Sequence, residues 1–379
     1  MRTRIAVPGL LLALLALAGA PATAAEDEGG REWGYNKGFF FKQGVFELKI
    51  STRTQFRFTQ TWFDAASTDE DRGDFSLPRT RLSFDGKAWY PWLSYKIQYD
   101  FTGHTTVEEV DFTGTTTEDA KSPDLRDLYL DLAKNPMAAV RIGQFKAPFG
   151  LQELTSSGNQ EFVDRSITSA AFAPSRQQGA MLWGLTGTKK FGYEVGLFNG
   201  NGRNQSANDN DGYMYAARIH FDPNGEYKLA ETAVEHPDKV NYTVGVGYLM
   251  NQEDATADVD GTTMEAFFAL KYKRLFVLAD WYDQTEEAPG GDIDRDGGIA
   301  QIGCFVIPKK LEVALRYSTL DPDTSTDNDE ETEERIVFGW FFSKHELKFQ
   351  ADYGRLTVET PGMPDEETDV LRAQFQIVF

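Results

Sequence analysis

The sequence predicts an all-β fold: a 16-stranded antiparallel transmembrane β-barrel with one long loop folded inward. Three observations carry that expectation. From Val45 onward, segments of about nine to twelve residues alternate apolar and polar side chains, the length and period of a tilted membrane-crossing strand. The connections between them alternate short and long, as the turns and outer loops of a membrane barrel do and a soluble sandwich has no reason to do. A mean hydropathy of −0.45, with no long apolar run beyond the N-terminus, excludes a helical membrane protein.

At the N-terminus, Arg2 and Arg4 precede an apolar stretch from Leu10 to Ala18 and the small-residue site Ala22-Thr23-Ala24. Residues 1–24 therefore read as a signal peptide, because the apolar stretch is too short to span a bilayer and an A-x-A site follows. Residues 25–44 follow as a periplasmic segment, opening on the charged run Glu26-Asp27-Glu28, and residues 45–379 form the barrel. The expected location is the bacterial outer membrane. The net charge of −21 becomes about −23 once Arg2 and Arg4 are removed, which argues against a nucleic-acid partner.

The strand segments fall at 45–60, 75–86, 91–103, 124–133, 138–147, 177–187, 191–200, 213–222, 240–250, 262–272, 275–284, 298–307, 310–319, 334–342, 345–354 and 369–379. Their number is even, as antiparallel closure of a bacterial barrel requires. The last is the cleanest: Leu371, Ala373, Phe375, Ile377 and Phe379 oppose Arg372, Gln374 and Gln376. Connections at 133–136, 188–190, 272–274, 307–309 and 342–344 are short. Those at 61–74, 104–123, 148–176, 201–212, 251–261, 285–297, 320–333 and 355–368 are long. One connection on the short side, 223–239, is longer than its neighbours. Trp62, Trp89, Tyr90, Trp92, Trp281, Tyr282, Trp340 and Phe341 lie near strand ends, where interfacial girdles belong.

With the apolar face toward lipid, the other face lines a lumen wide enough for water. That face carries Arg53, Arg57, Arg79, Arg81, Lys96, Arg141, Arg218, Lys271, Arg316, Lys348 and Arg372. Its acids are fewer: Asp85, Asp100, Asp127, Asp131, Asp280, Glu312 and Asp352. A basic wall beneath acidic outer loops favours anions. The opposing expectation is that mixed wall charges neutralise one another. The connection 148–176 is long, less acidic than the others, and carries Leu151, Leu154, Phe162, Val163 and Phe172. Those side chains need burial, and the barrel interior offers it, so an inward constriction with Lys146, Arg165 and Arg176 at its eyelet is expected.

The string GQFKAPFGLQELTSS, followed by FVDRS, resembles the signature region of the phosphate-selective porin O and P family. The opening GFFFKQGVFELKIS, the segment LPRTRLSFDGKAW and the ending LRAQFQIVF are similar to that family's termini. The resemblance implies a trimeric outer-membrane porin in which an arginine ladder guides phosphate or other small anions through a constriction. Arg53, Arg57, Arg79, Arg81, Arg141 and Lys146 match its basic rows. Asp85, Asp100, Asp127 and the acidic loops depart from an uninterrupted anion funnel.

Other chemistry is weaker. Asp292, Asp294, Asp296 and Gly297 match half of an EF-hand loop, but Gly303 stands where the bidentate Glu is needed. An acidic-loop cation bridging to lipopolysaccharide gives way to simple solvated charge. Ser156 and Ser157 have no nearby histidine and no GxSxG, so no catalytic site, metal or cofactor is expected. Cys304 shares the lipid-facing parity of Ile302 and Val306. A general or oligosaccharide porin and a non-conducting structural or adhesion barrel are the alternatives.

Overall fold

The computed structural model describes residues 25–26, 30–64, 69–102, 123–205, 208, 212–254, 259–287 and 291–379. The expected signal peptide, 1–24, lies outside the described residues, as does most of the loop 104–123. Three short strands come first: β1 (Ala25–Glu26), β2 (Arg31–Tyr35) and β3 (Phe39–Gln43). Sixteen longer ones follow. They are β4 (Phe46–Phe63), β5 (Arg72–Lys87), β6 (Leu93–Asp100), β7 (Asp124–Asn135), β8 (Ala138–Lys146), β9 (Arg176–Leu185), β10 (Phe191–Phe198) and β11 (Met214–Phe221). The second half comprises β12 (Asn241–Asp254), β13 (Val259–Tyr272), β14 (Leu275–Glu287), β15 (Ile293–Ile307), β16 (Leu311–Asp321), β17 (Glu331–Ser343), β18 (Leu347–Val358) and β19 (Glu366–Val378).

Each of these strands pairs antiparallel with the next, and β19 returns to β4 from Thr368↔Phe63 to Val378↔Arg53. The sheet is therefore a closed 16-stranded barrel, which removes the sheet edge that hydrocarbon cannot satisfy. Below the seam, β3 takes over the side of β4 that β19 leaves free, pairing Phe39 with Ile50 and Gln43 with Phe46. The Thr52 N–H donates to the terminal Phe379 carbonyl at 2.5 Å, tying the chain end to the first barrel strand.

The period-two pattern sets the faces. Along β18, Lys348, Gln350 and Asp352 are each 1% exposed, whereas Phe349 and Tyr353 are 39% and 43% exposed. Polar side chains thus point inward and apolar ones outward, the inverse of a soluble sandwich. Cys304 is exposed with the outer set.

Several expected boundaries move. The loops at 285–297, 320–333 and 355–368 are shorter than expected because their strands continue past the apolar band, for example pairing Thr285 with Asp294 and Thr332 with Thr357. The girdle assignment fails for Tyr282 and Phe341, which are fully buried on the inner face. Here the inner face is apolar too because chain packed inside the barrel covers it: Phe172 lies on Tyr282, and Val234 packs against Phe341.

Candidate functional site

Residues 147–175, between β8 and β9, hold two short helices: α1 (Leu151–Leu154) and α2 (Ile167–Phe172). Ser166 caps α2 by accepting from the Ser169 N–H. Phe149, Leu151 and Phe172 of this segment join one apolar cluster with Phe145, Phe198, Phe267, Phe276, Leu278, Tyr282 and Ile299 on the inner faces of β8 to β15. Phe172 stacks on Tyr282 with ring centroids 5.3 Å apart.

Polar contacts tie the same segment to the wall. Arg57 and Arg79 reach the Asp164 carboxylate at 2.6 and 3.1 Å, and Arg372 lies 3.4 Å from it. Arg316 donates to the Asp164 carbonyl at 2.9 Å and pairs with Glu333 at 2.8 Å. Lys348 donates to the Gln160 carbonyl at 2.7 Å, and the Gly150 and Leu151 N–H groups donate to Glu265. Burial pushes the Asp164 carboxyl up, but the three guanidiniums outweigh it and hold it well below the usual carboxylate range.

What this segment leaves free is a cavity of about 620 Å³ on the side of β4 to β10. Ten Lys and Arg side chains line it against four carboxylates. Arg53, Arg79, Arg81, Lys96, Arg141, Lys146 and Arg165, all expected from the sequence, meet there. Arg57, Arg218, Arg316, Lys348 and Arg372 do not. Four of these hold the 147–175 segment, and Arg218 pairs with Glu194 at 3.2 Å while lying over the Phe267 ring.

Most cavity cations have a carboxylate partner. Arg81 pairs with Asp100 at 2.8 Å, and Lys96 and Arg176 share Asp127 at 3.0 and 2.7 Å. Arg141 pairs with Asp131 at 2.7 Å and lies over the Tyr129 ring at 4.2 Å. Arg165 and Lys146 share Glu153 at 2.8 and 3.4 Å, and they and Arg176 bring its buried carboxyl down to about 2 against the upward push of burial. Arg53 differs. Its guanidinium donates to the Ser157 and Ser156 hydroxyls at 3.1 and 3.0 Å, and its buried Nε has no partner among the described residues.

Two lining cations escaped the sequence reading. Arg126 and Arg203 both bind Asp124, at 3.1 and 2.9 Å. Simple alternation puts Arg126 outside, since Asp127, Tyr129 and Asp131 point in. A bulge opposite Gln98 and Tyr99 changes the phase of β7 there. Arg203 sits on a connection that was assigned only to the outside.

The chain matches the family model described as "Phosphate-selective porin O and P" over residues 49–379. It is 26% identical over 372 residues to an uncharacterised protein of Aquifex aeolicus (strain VF5), covering 88% of this chain and 87% of that one. Its fold is similar to that of an anion-selective porin from Comamonas acidovorans, with a TM-score of 0.61 at 10% identity, over 88% of this chain and 99% of the other. It is also similar to the trimer form of OmpT, an outer membrane protein of Vibrio cholerae. There the TM-score is 0.55 at 11% identity, over 87% of this chain and 99% of that one. The closed barrel, its inward polar face and a match spanning nearly every barrel strand lead to one statement: the chain belongs to the phosphate-selective porin O and P family and is an outer-membrane porin.

Proposed function

We propose that the barrel passes small anions, phosphate or related ones, by passive diffusion through the cavity lined by Arg53, Arg79, Arg81, Lys96, Arg141 and Lys146. The observation that supports it is the charge imbalance of that cavity, ten cations against four carboxylates. In a narrow aqueous path with low-dielectric walls such an imbalance concentrates anions and repels cations. The 147–175 segment, with Arg165 on it, acts as the constriction, confining solutes to the basic side. The named anion-selective neighbour shares the fold alone at 10% identity, so the reading rests on this chain's own charges.

A second reading, a general porin with weak selectivity, is favoured by the carboxylate partner found for nearly every cavity cation. We assign the assembly as a homotrimer, in line with the family resemblance and the trimeric Vibrio neighbour. Its acidic outer loops stand among lipopolysaccharide, after cleavage of the signal peptide behind Ala24.

Reversal potential in planar bilayers under a salt gradient separates the two readings. Anion preference, with chloride current blocked by added phosphate, is the expected result. A cation-selective or unselective pore refutes anion preference while leaving the porin intact.

A further inference from the structure

The connection between β11 and β12 runs into the barrel instead of turning beneath it. Glu231, Thr232, Ala233 and Val234 are each buried, and Val234 packs with Phe305 and Phe341 on the inner wall. There the connection meets the 147–175 segment. The Glu231 N–H donates to the Asn159 carbonyl at 2.9 Å, and the Glu161 N–H donates to the Glu231 carboxylate at 3.3 Å. Gln301 of β15 donates to Glu161 and Glu231 at 2.7 and 3.3 Å. Glu312 of β16, equally buried, faces Glu161 from the wall.

Gln301 thus draws two buried carboxyls onto one amide nitrogen, and among the described residues neither has an ion-pair partner. They lie so close only if one carries a proton, because ionised carboxylates are acceptors alone and repel each other. Glu161, Glu231 and Glu312 are each 1% exposed, and each has an Oε1 with no hydrogen-bond partner among the described residues. The wall also makes room for this junction. A Cβ on Gly303 would overlap Glu161 Oε1, so the glycine is what lets the carboxyl lie against β15.

We propose that Glu231 is a positioning residue for the pore: through Glu161 it holds the constricting segment in a buried carboxyl cluster with Glu312, and the opening stays fixed only while that cluster keeps its protons. This rests on the pore reading above. Burial, with the charges of Glu312 and Glu231, pushes the Glu161 carboxyl up, and burial raises that of Glu231 as well. The other charged or titratable groups facing the junction are Arg165 on the segment itself and Tyr227 on the connection. From the wall come Arg316 of β16, Lys348 of β18 and Lys271 of β13, with His345 beside Lys348. The docked junction keeps protons that a released segment gives up. Docking is therefore at full strength below the ordinary carboxyl range and weakens as pH rises above it, toward the raised values of the docked state.

Single-channel recording from about pH 5 to about pH 10 tests this, with reversal potential followed alongside. The wild type is expected to hold one steady level in acid and to break into fluctuating sublevels on the alkaline side. Glu231→Gln, which still accepts from the Glu161 N–H but takes one ionisable group out of the crowded cluster, is expected to stay steady throughout. Gly303→Ala is expected to fluctuate at every pH. Should that variant fail to give a folded, heat-modifiable barrel, Glu161→Gln serves instead and is expected to lose the alkaline transition. A wild type steady to the alkaline limit, or a Glu231→Gln pore with the wild-type transition, overturns the proposal. Reversal potential reports on anion preference separately, so failure of one reading is not mistaken for failure of the other.

Discussion

Changing Asp164 to asparagine is expected to loosen the constricting segment and make the pore more anion-selective at once. Asp164 is the single carboxylate on which Arg57, Arg79 and Arg372 converge, at 2.6, 3.1 and 3.4 Å. Its side chain keeps 28% of its surface open, so lumen water screens part of the loss. Leaving three like charges around a neutral amide still costs about 3 kcal/mol of docking free energy, in the range measured when a charged hydrogen-bond partner is deleted. Thermal unfolding should begin at a lower temperature, and reversal potential should shift toward anions because one negative charge has left the lumen. An unchanged melting curve would show that the apolar cluster around Phe172 and Tyr282 holds the segment unaided. The pH sign here is opposite to that at Glu161. A depressed carboxyl stabilises above its ordinary range and loses its contribution only as pH falls through the depressed value. Asp164 thus holds the segment through mild acid, while the Glu161 junction is the contact that weakens in base.

The strands were legible because each has two chemically different faces in two different solvents. Leu371, Phe375 and Ile377 against Arg372, Gln374 and Gln376 admit only one orientation once lipid is outside. Where the interior is itself apolar the signal disappears. Tyr282 beside Trp281, and Phe341 beside Trp340, look alike in sequence; Tyr282 turns inward because the 147–175 segment covers it, and Phe341 because Val234 of the β11–β12 connection packs against it. The basic side chains were legible as a set but not their division of labour. Nothing local distinguishes Arg57, which grips Asp164, from Arg53, four residues earlier, which lines the cavity. Arg126 was hidden by a bulge, which alternation cannot register. The Glu161 to Glu231 contact joins segments far apart in the chain, and a hydrophobic pattern carries no record of it.

Arg53 is the cavity cation whose loss should weaken anion binding most. The other nine lining cations each have a carboxylate within ion-pair distance, so part of their donor capacity is already engaged. Arg53 is held by two serine hydroxyls, and Gly158 lies close against the other edge of its guanidinium, where a Cβ would stand 2.6 Å from Nε. An anion meeting Arg53 need not displace a carboxylate first. Arg53→Gln should therefore weaken phosphate block of chloride current by about tenfold, the loss of one hydrogen bond to a charged group. Arg53→Lys should recover only part of it, since a point charge lacks the two-pronged geometry that a guanidinium offers a phosphate. Arg141→Gln supplies the contrast. It removes the same unit of charge, and so moves reversal potential comparably, but its guanidinium is engaged by Asp131 and by the Tyr129 ring. Its effect on block should be smaller. Equal losses of block in the two variants would mean that the cavity works through its summed field, with no individual donor mattering, and Arg53 would then be one charge among ten.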